Sequence, residues 1–208
     1  MPISYLREAC LETLQDCIHA EQQGADRIEL CSRLDLDGLS PAVELTQEVL
    51  KSVSIPVRAM VRPREGDFVY SAAEIQQMEA EIDRFKALGV EGIVLGVLTS
   101  AGHIDLSLLK DFIERARPLK VTFHRAIEQT PDLIDAIKLL VQETSIDSIL
   151  TSGGASHASE NVALLAQAIE AAQNRELIVC GKVTHENLPE LHRQLGASAY
   201  HGKQVVKV

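Results

Sequence analysis

Two segments near the start of the chain each set a carboxylate and a thiol two residues apart. These are Glu8 and Cys10 in Arg7-Glu8-Ala9-Cys10, and Glu29 and Cys31 in Arg27-Ile28-Glu29-Leu30-Cys31. In extended backbone, both side chains of such a pair point to one face. If the segments are neighbouring parallel strands, two glutamates and two cysteines meet near one end of a sheet as a thiol site with supporting carboxylates. A buried glutamate is costly without a partner, so the repeated Glu-x-Cys setting argues for function at Cys10 and Cys31. Cys17 sits on an apolar helix stripe and reads as core packing, while Cys180 is open to either role. Arg62 and Arg64 are candidates to neutralise the two glutamates, and His124, followed by Arg125, is expected in the same surroundings. Such a set offers an acid, a base and anion-holding groups.

Those residues must be positioned by elements whose apolar pattern alternates between short strand-like runs and amphipathic helices. Strands are expected at 7–10, 27–31, 57–62, 92–98, 120–124, 148–151, 177–180 and 199–201. Helices are expected at 13–23, after Ser40-Pro41, from Ser71 to Gly89, at 106–115, after Thr130-Pro131, at 159–172 and at 185–195. Ser40-Pro41 reads as an N-cap with a first-turn proline, and Ser71 with Glu74 has capping-box spacing. Eight strands alternating with helices favour a closed (β/α)8 TIM barrel over an open doubly wound sheet. Only residues 202–208 follow the last strand, so the eighth helix is missing. A second subunit or the short tail is then expected to cover the seam between the seventh helix and the first.

With 208 residues, 46% of them hydrophobic, and no linker-like stretch, one domain over 1–208 is expected. Thirty acidic against twenty basic residues give a net charge of -10, which argues against nucleic acid and anionic membranes. Partners are expected to be small molecules or ions. No apolar run reaches the length of about 18 residues that spans a bilayer, and no signal-peptide pattern stands at the N-terminus. Cysteines at 10, 17, 31 and 180 form no Cys-x-x-Cys pair, which fits reduced thiols in a cytoplasmic protein.

In a TIM barrel, reactive groups lie at the C-terminal ends of the strands and in the loops that follow. The two Glu-x-Cys pairs, Arg62, Arg64, Asp67, His124, Arg125, Thr151, Ser152, Cys180, Lys182 and His201 all fall there, and the opposite ends look like ordinary loop residues. His201 ends the strand that would neighbour the first, so its side chain can approach Cys10. Thr151-Ser152-Gly153-Gly154 precedes a helix and could hold an anion on backbone amides. His19, His103, His157, His185 and His192 read as solvated surface.

Several blocks in order resemble the CutC family, a group named for copper homeostasis. They are Gly24-Ala25-Asp26-Arg27-Ile28-Glu29-Leu30-Cys31, Arg62-Pro63-Arg64 with Gly66-Asp67-Phe68 and Tyr70, Val121-Thr122-Phe123-His124-Arg125-Ala126, and Ile149-Leu150-Thr151-Ser152-Gly153. The resemblance implies a (β/α)8 barrel, a cytoplasmic location, homo-oligomers and monovalent copper, Cu(I), held by Cys10 and Cys31. Three places depart from the family pattern: Glu65 before Gly66, Cys180-Gly181-Lys182 in place of a glycine run, and the loop 37–41, which keeps only part of its usual sequence.

Two chemistries follow. Copper(I) is soft and prefers thiolates, and thiols at matching heights on strands about 4.8 Å apart can converge on one ion, with His201 or another cysteine completing three-coordination. Alternatively, the barrel is an enzyme acting on a small anionic or carbonyl substrate. Glu8 or Glu29 would then be the base and His124 the acid, Arg62 would join them, and Arg64, Asp67, Arg125, Ser152 and His201 would hold substrate. The excess of arginine favours this second chemistry, because cations near a copper site oppose binding. A scaffold barrel without a ligand is the third expectation.

Overall fold

The computed structural model describes residues 5–207. Among them, eight strands alternate with seven α-helices: β1 Leu6–Leu11, α1 Leu14–Gln22, β2 Arg27–Leu30, α2 Val43–Ser52, β3 Val57–Met60, α3 Ala72–Leu88, β4 Gly92–Leu95, α4 Leu106–Ala116, β5 Lys120–Phe123, α5 Leu133–Glu143, β6 Ser148–Thr151, α6 Val162–Ala172, β7 Glu176–Val179, α7 Leu188–Leu195 and β8 Ala199–Gly202. Each strand pairs in parallel with the next, and β8 pairs with β1, which closes the barrel as expected. Right-handed crossovers over short parallel strands leave helices outside and side chains of alternate residues inside.

The capping box at Ser71 and Glu74 starts α3, and Gly89, at φ 80°, ends it in the left-handed conformation that suits glycine. The expected cap at Ser40 is not one. Helix α2 begins two residues after Pro41 with Ala42 as N-cap, and the Ser40 hydroxyl instead donates to Glu81 and accepts from the Arg62 backbone N–H. Thr130-Pro131 likewise stands outside α5, whose N-cap is Asp132. A short 3-10 helix, Arg125–Gln129, lies between β5 and α5.

The largest apolar cluster lies between sheet and helices, with Cys17 in it as core packing. Inside the barrel are two smaller clusters, Cys10, Cys31, Met60 and Val94 on one side and Leu150, Ile178, Cys180 and Ala199 on the other. No helix follows β8 among the described residues. The outer face of β8 is covered all the same: Tyr200 is fully buried beneath Tyr5 and His192, and Val205 and Val206 of the tail are buried in the main cluster. His192 is therefore half-buried and hydrogen-bonded to Tyr200 at 3.1 Å, not solvated surface. The seam is closed by the chain itself, with the tail as its outer edge.

Candidate functional site

Alternation along the strands decides which polar residues enter the barrel. Arg27, Glu29 and Cys31 share one face of the β2 segment, and Glu8 and Cys10 share one face of β1. The register sets Glu8 beside Arg27 and Cys10 beside Glu29, so Cys31 stands two residues further along than Cys10, not at matching height. Side chains bridge this stagger. Glu29 Oε1 accepts from Cys10 Sγ at 3.6 Å and from Cys31 Sγ at 3.5 Å, placing one carboxylate oxygen between two buried thiols. Ligand atoms of Cys10, Glu29 and Cys31 all lie within 4.8 Å of one another. From β8, His201 Nδ1 meets Glu8 Oε1 at 2.9 Å and approaches Glu29 Oε2 at 3.9 Å. The expected meeting of the two Glu-x-Cys pairs with His201 is therefore what the barrel builds.

Glu8 and Glu29, 1% and 2% exposed, are pushed in opposite directions because their partners differ. Burial opposes ionisation of Glu8, but His201 and Arg27 outweigh it and hold the carboxyl down at about 2. Burial pushes Glu29 up to about 8, and the neighbouring Cys10 and Glu8 add to that against the attraction of His201. The neighbouring Cys31 lowers the Cys10 thiol against the effect of burial, while Cys10 and then burial raise Cys31. The two carboxyls are thus pushed in opposite directions beside an inequivalent thiol pair.

The arginines beside Glu8 are not the expected ones. Arg27 Nε donates to Glu8 at 2.5 Å and its Nη2 to Glu176 at 2.8 Å, while Arg58 reaches Glu91 at 2.6 Å, Thr122 at 2.8 Å and Ser148 at 2.9 Å. Polarity in this barrel is thus not one-sided, since a buried ionic layer fills its N-terminal half beneath the thiols. Arg62 neutralises neither glutamate. Its Nη1 donates to the carbonyls of Leu36, Asp37 and Gly38, and its Nη2 to that of Gly66. Arg64 is also elsewhere, paired with Glu74 at 2.5 Å and with exposed Asp67 at 2.9 Å in the loop after β3.

His124 ends the β5 segment and is 4% exposed. Its Nδ1 accepts from the Ala126 N–H at 3.1 Å, its ring packs 4.9 Å from that of Phe68, and a Cβ on Gly96 would overlap it. Burial, then Arg62 and Arg125, hold its imidazole down at about 3, so the ring is neutral. In the loop after β6, the amides of Ser152 and Gly153 are already engaged, by Glu128 and by the Thr151 hydroxyl. Glu128 Oε1 takes the Ser152 N–H at 2.5 Å and the hydroxyls of Thr151 and Ser152, each at 2.9 Å, and its other oxygen pairs with Arg125 at 2.9 Å. Arg125 also reaches Ser152 Oγ at 3.3 Å. Cys180 is buried in the barrel, and burial pushes its thiol up to about 12. Lys182 is exposed on a positive-φ turn. Arg27, Arg58, Glu176 and Glu128 are the polar residues that motif reading passed over. A strict period of two would have exposed the first two, in Arg27-x-Glu29-x-Cys31 and Arg58-x-Met60-x-Arg62.

No helix among the described residues is long and apolar enough to cross a membrane. The sequence pattern that defines the CutC family matches residues 5–206. The human copper homeostasis protein cutC homolog is 41% identical over 198 residues, covering 95% of this chain and 72% of that protein. A CutC family protein of Photobacterium profundum is 38% identical over 195 residues, 93% of this chain and 79% of that one. In three dimensions, the crystal structure of a CutC protein from Streptococcus agalactiae superposes with a TM-score of 0.91 at 31% identity, covering 97% of this chain and all of that one. Family pattern, relatives and barrel agree over almost the whole length, and the chain belongs to the CutC family.

Proposed function

We propose that this protein serves copper homeostasis by binding monovalent copper as its cargo, with Cys10 and Cys31 as the sulfur ligands. The observation that carries this reading is the convergence of two buried thiols on one carboxylate oxygen, all within 4.8 Å. Two metal–thiolate bonds of about 2.3 Å reach about 4.6 Å in line, so the spacing suits one ion between two sulfurs. Soft thiolates in a dry setting favour Cu(I) over harder divalent ions, and the relatives named for copper homeostasis point to copper. Loading the site releases the thiol protons, and an imidazolium at His201 offsets the negative charge of a bis-thiolate copper(I) unit. Glu29 lies between the thiols and takes up or yields a proton as they ionise. All four cysteines are free, which suits a reducing cytoplasm. The homo-oligomer belongs to this reading by resemblance.

An anaerobic competition titration against a chromogenic Cu(I) chelator tests the site. The wild-type chain takes up one equivalent, and Cys10→Ser combined with Cys31→Ser loses stoichiometric uptake. Unchanged uptake by the double variant would remove these cysteines as the ligands.

A further inference from the structure

The copper reading leaves Arg62 and His124 without a task. Arg62 is 6% exposed, yet among the described residues no carboxylate pairs with it, and its Nη atoms meet only carbonyl oxygens. A buried guanidinium without a counter-ion is uncommon in a purely structural role, because the charge is costly to desolvate. Its Nε–H is buried and has no hydrogen-bond partner. His124 repeats the pattern. Since Nδ1 accepts the Ala126 N–H, the proton of the neutral ring sits on Nε2, and that donor is buried without an acceptor. Both groups pack on the same side chain: the Phe68 ring lies 5.1 Å from the Arg62 guanidinium carbon and 4.9 Å from the His124 ring centroid.

We propose that Arg62 and His124 form a subsite for the carboxylate of a small monocarboxylic acid, covered by Phe68. Two donors lacking acceptors call for an acceptor oxygen, and one uncompensated positive charge calls for one negative charge. The other guanidinium facing His124, that of Arg125, is already paired with Glu128 and adds no free charge. A dianion such as phosphate would leave one negative charge in excess in a buried position. Gly96 matters here as a positioning residue, because a Cβ there would collide with the His124 ring and displace it. This subsite is independent of copper, since neither Arg62 nor His124 touches the thiol pair.

The experiment is a titration of metal-free, histidine-15N-labelled protein with pyruvate, followed at the His124 Nε2 resonance. A saturable shift is expected with a dissociation constant of about a millimolar, the range of a few charge-assisted contacts. Arg62→Gln should weaken binding by about tenfold or more. Phe68→Ala keeps both donors and removes the cover, so it should bind pyruvate at least as tightly as wild type even if Arg62→Gln fails to fold. An unsaturated, linear shift, loss of binding in Phe68→Ala, or inorganic phosphate binding more tightly than pyruvate at the same resonance would each overturn the proposal.

Discussion

His124 shows how a single residue can be placed by sequence while its proton affinity is set by its surroundings. Its position at the end of β5 was legible from Val121-Thr122-Phe123-His124, but an acid at neutral pH needs a proton to give, and this ring is neutral by burial and by the nearby guanidiniums. What such a ring has to offer is the Nε2 proton as a hydrogen-bond donor. Stability should register this. The unfolded imidazole titrates near 6.5, whereas the native one is held at about 3, so between those values the unfolded state binds the extra proton and stability falls as pH falls. From pH 7 to pH 5 this single group should cost about 2 kcal/mol. Urea unfolding of wild type and His124→Asn at both pH values gives the measurement: wild type should lose about 2 kcal/mol more than the variant. Equal losses would mean that the native ring protonates freely.

Elements explain both what the sequence revealed and what it concealed. Helix α3 was readable because its cap, apolar stripe and terminal glycine are local signals, and the strands were readable as apolar runs. The Glu-x-Cys pairs were readable because period two is local as well. What joins strands is not local: the partner of Glu8 is Arg27 across β2, not Arg62, and only the register decides that. Ser40 had the composition of a cap and became instead a link between Arg62 and Glu81, a contact 41 residues away in sequence. Arg58 is the strongest case, since one guanidinium on β3 touches Glu91 before β4, Thr122 on β5 and Ser148 on β6, with Glu176 on β7 at 3.6 Å. Gly92 leaves room for its stem, where a Cβ would lie 3.2 Å from Arg58 Cγ. Arg58→Met should therefore destabilise the barrel by about 3 kcal/mol in urea unfolding, the lower end for a broken buried pair because Glu91 and Glu176 keep some contact with water. A loss below about 1 kcal/mol, the scale of a surface ion pair, would show that the layer is not a shared structural tie.

For the molecule as a whole, the question is how the last strand is protected when no helix follows it among the described residues. An uncovered seam would require a partner, and the exposed surface would then carry apolar side chains. Among the described residues, Val69 is the one large hydrophobic residue that is exposed, so no open apolar strip runs along the seam. The chain supplies the cover in two pieces. Tyr5 and His192 close over Tyr200, and the tail runs back along the segment after β7, where the Gln204 carbonyl accepts from the His185 N–H at 2.8 Å. Gly202 allows this return, because a Cβ there would collide with the Val183 carbonyl. Val205 and Val206 then fill the place of a helix face, 1% and 3% exposed. Full burial of a valine is worth about 1.5–3 kcal/mol, so removing residues 204–208 should cost about 3–6 kcal/mol and expose apolar surface. Urea unfolding of the truncated chain checks this directly: a midpoint equal to wild type would mean that Tyr5 and His192 seal the seam alone, and a lowered midpoint with unchanged slope would assign the missing helix's work to two valines.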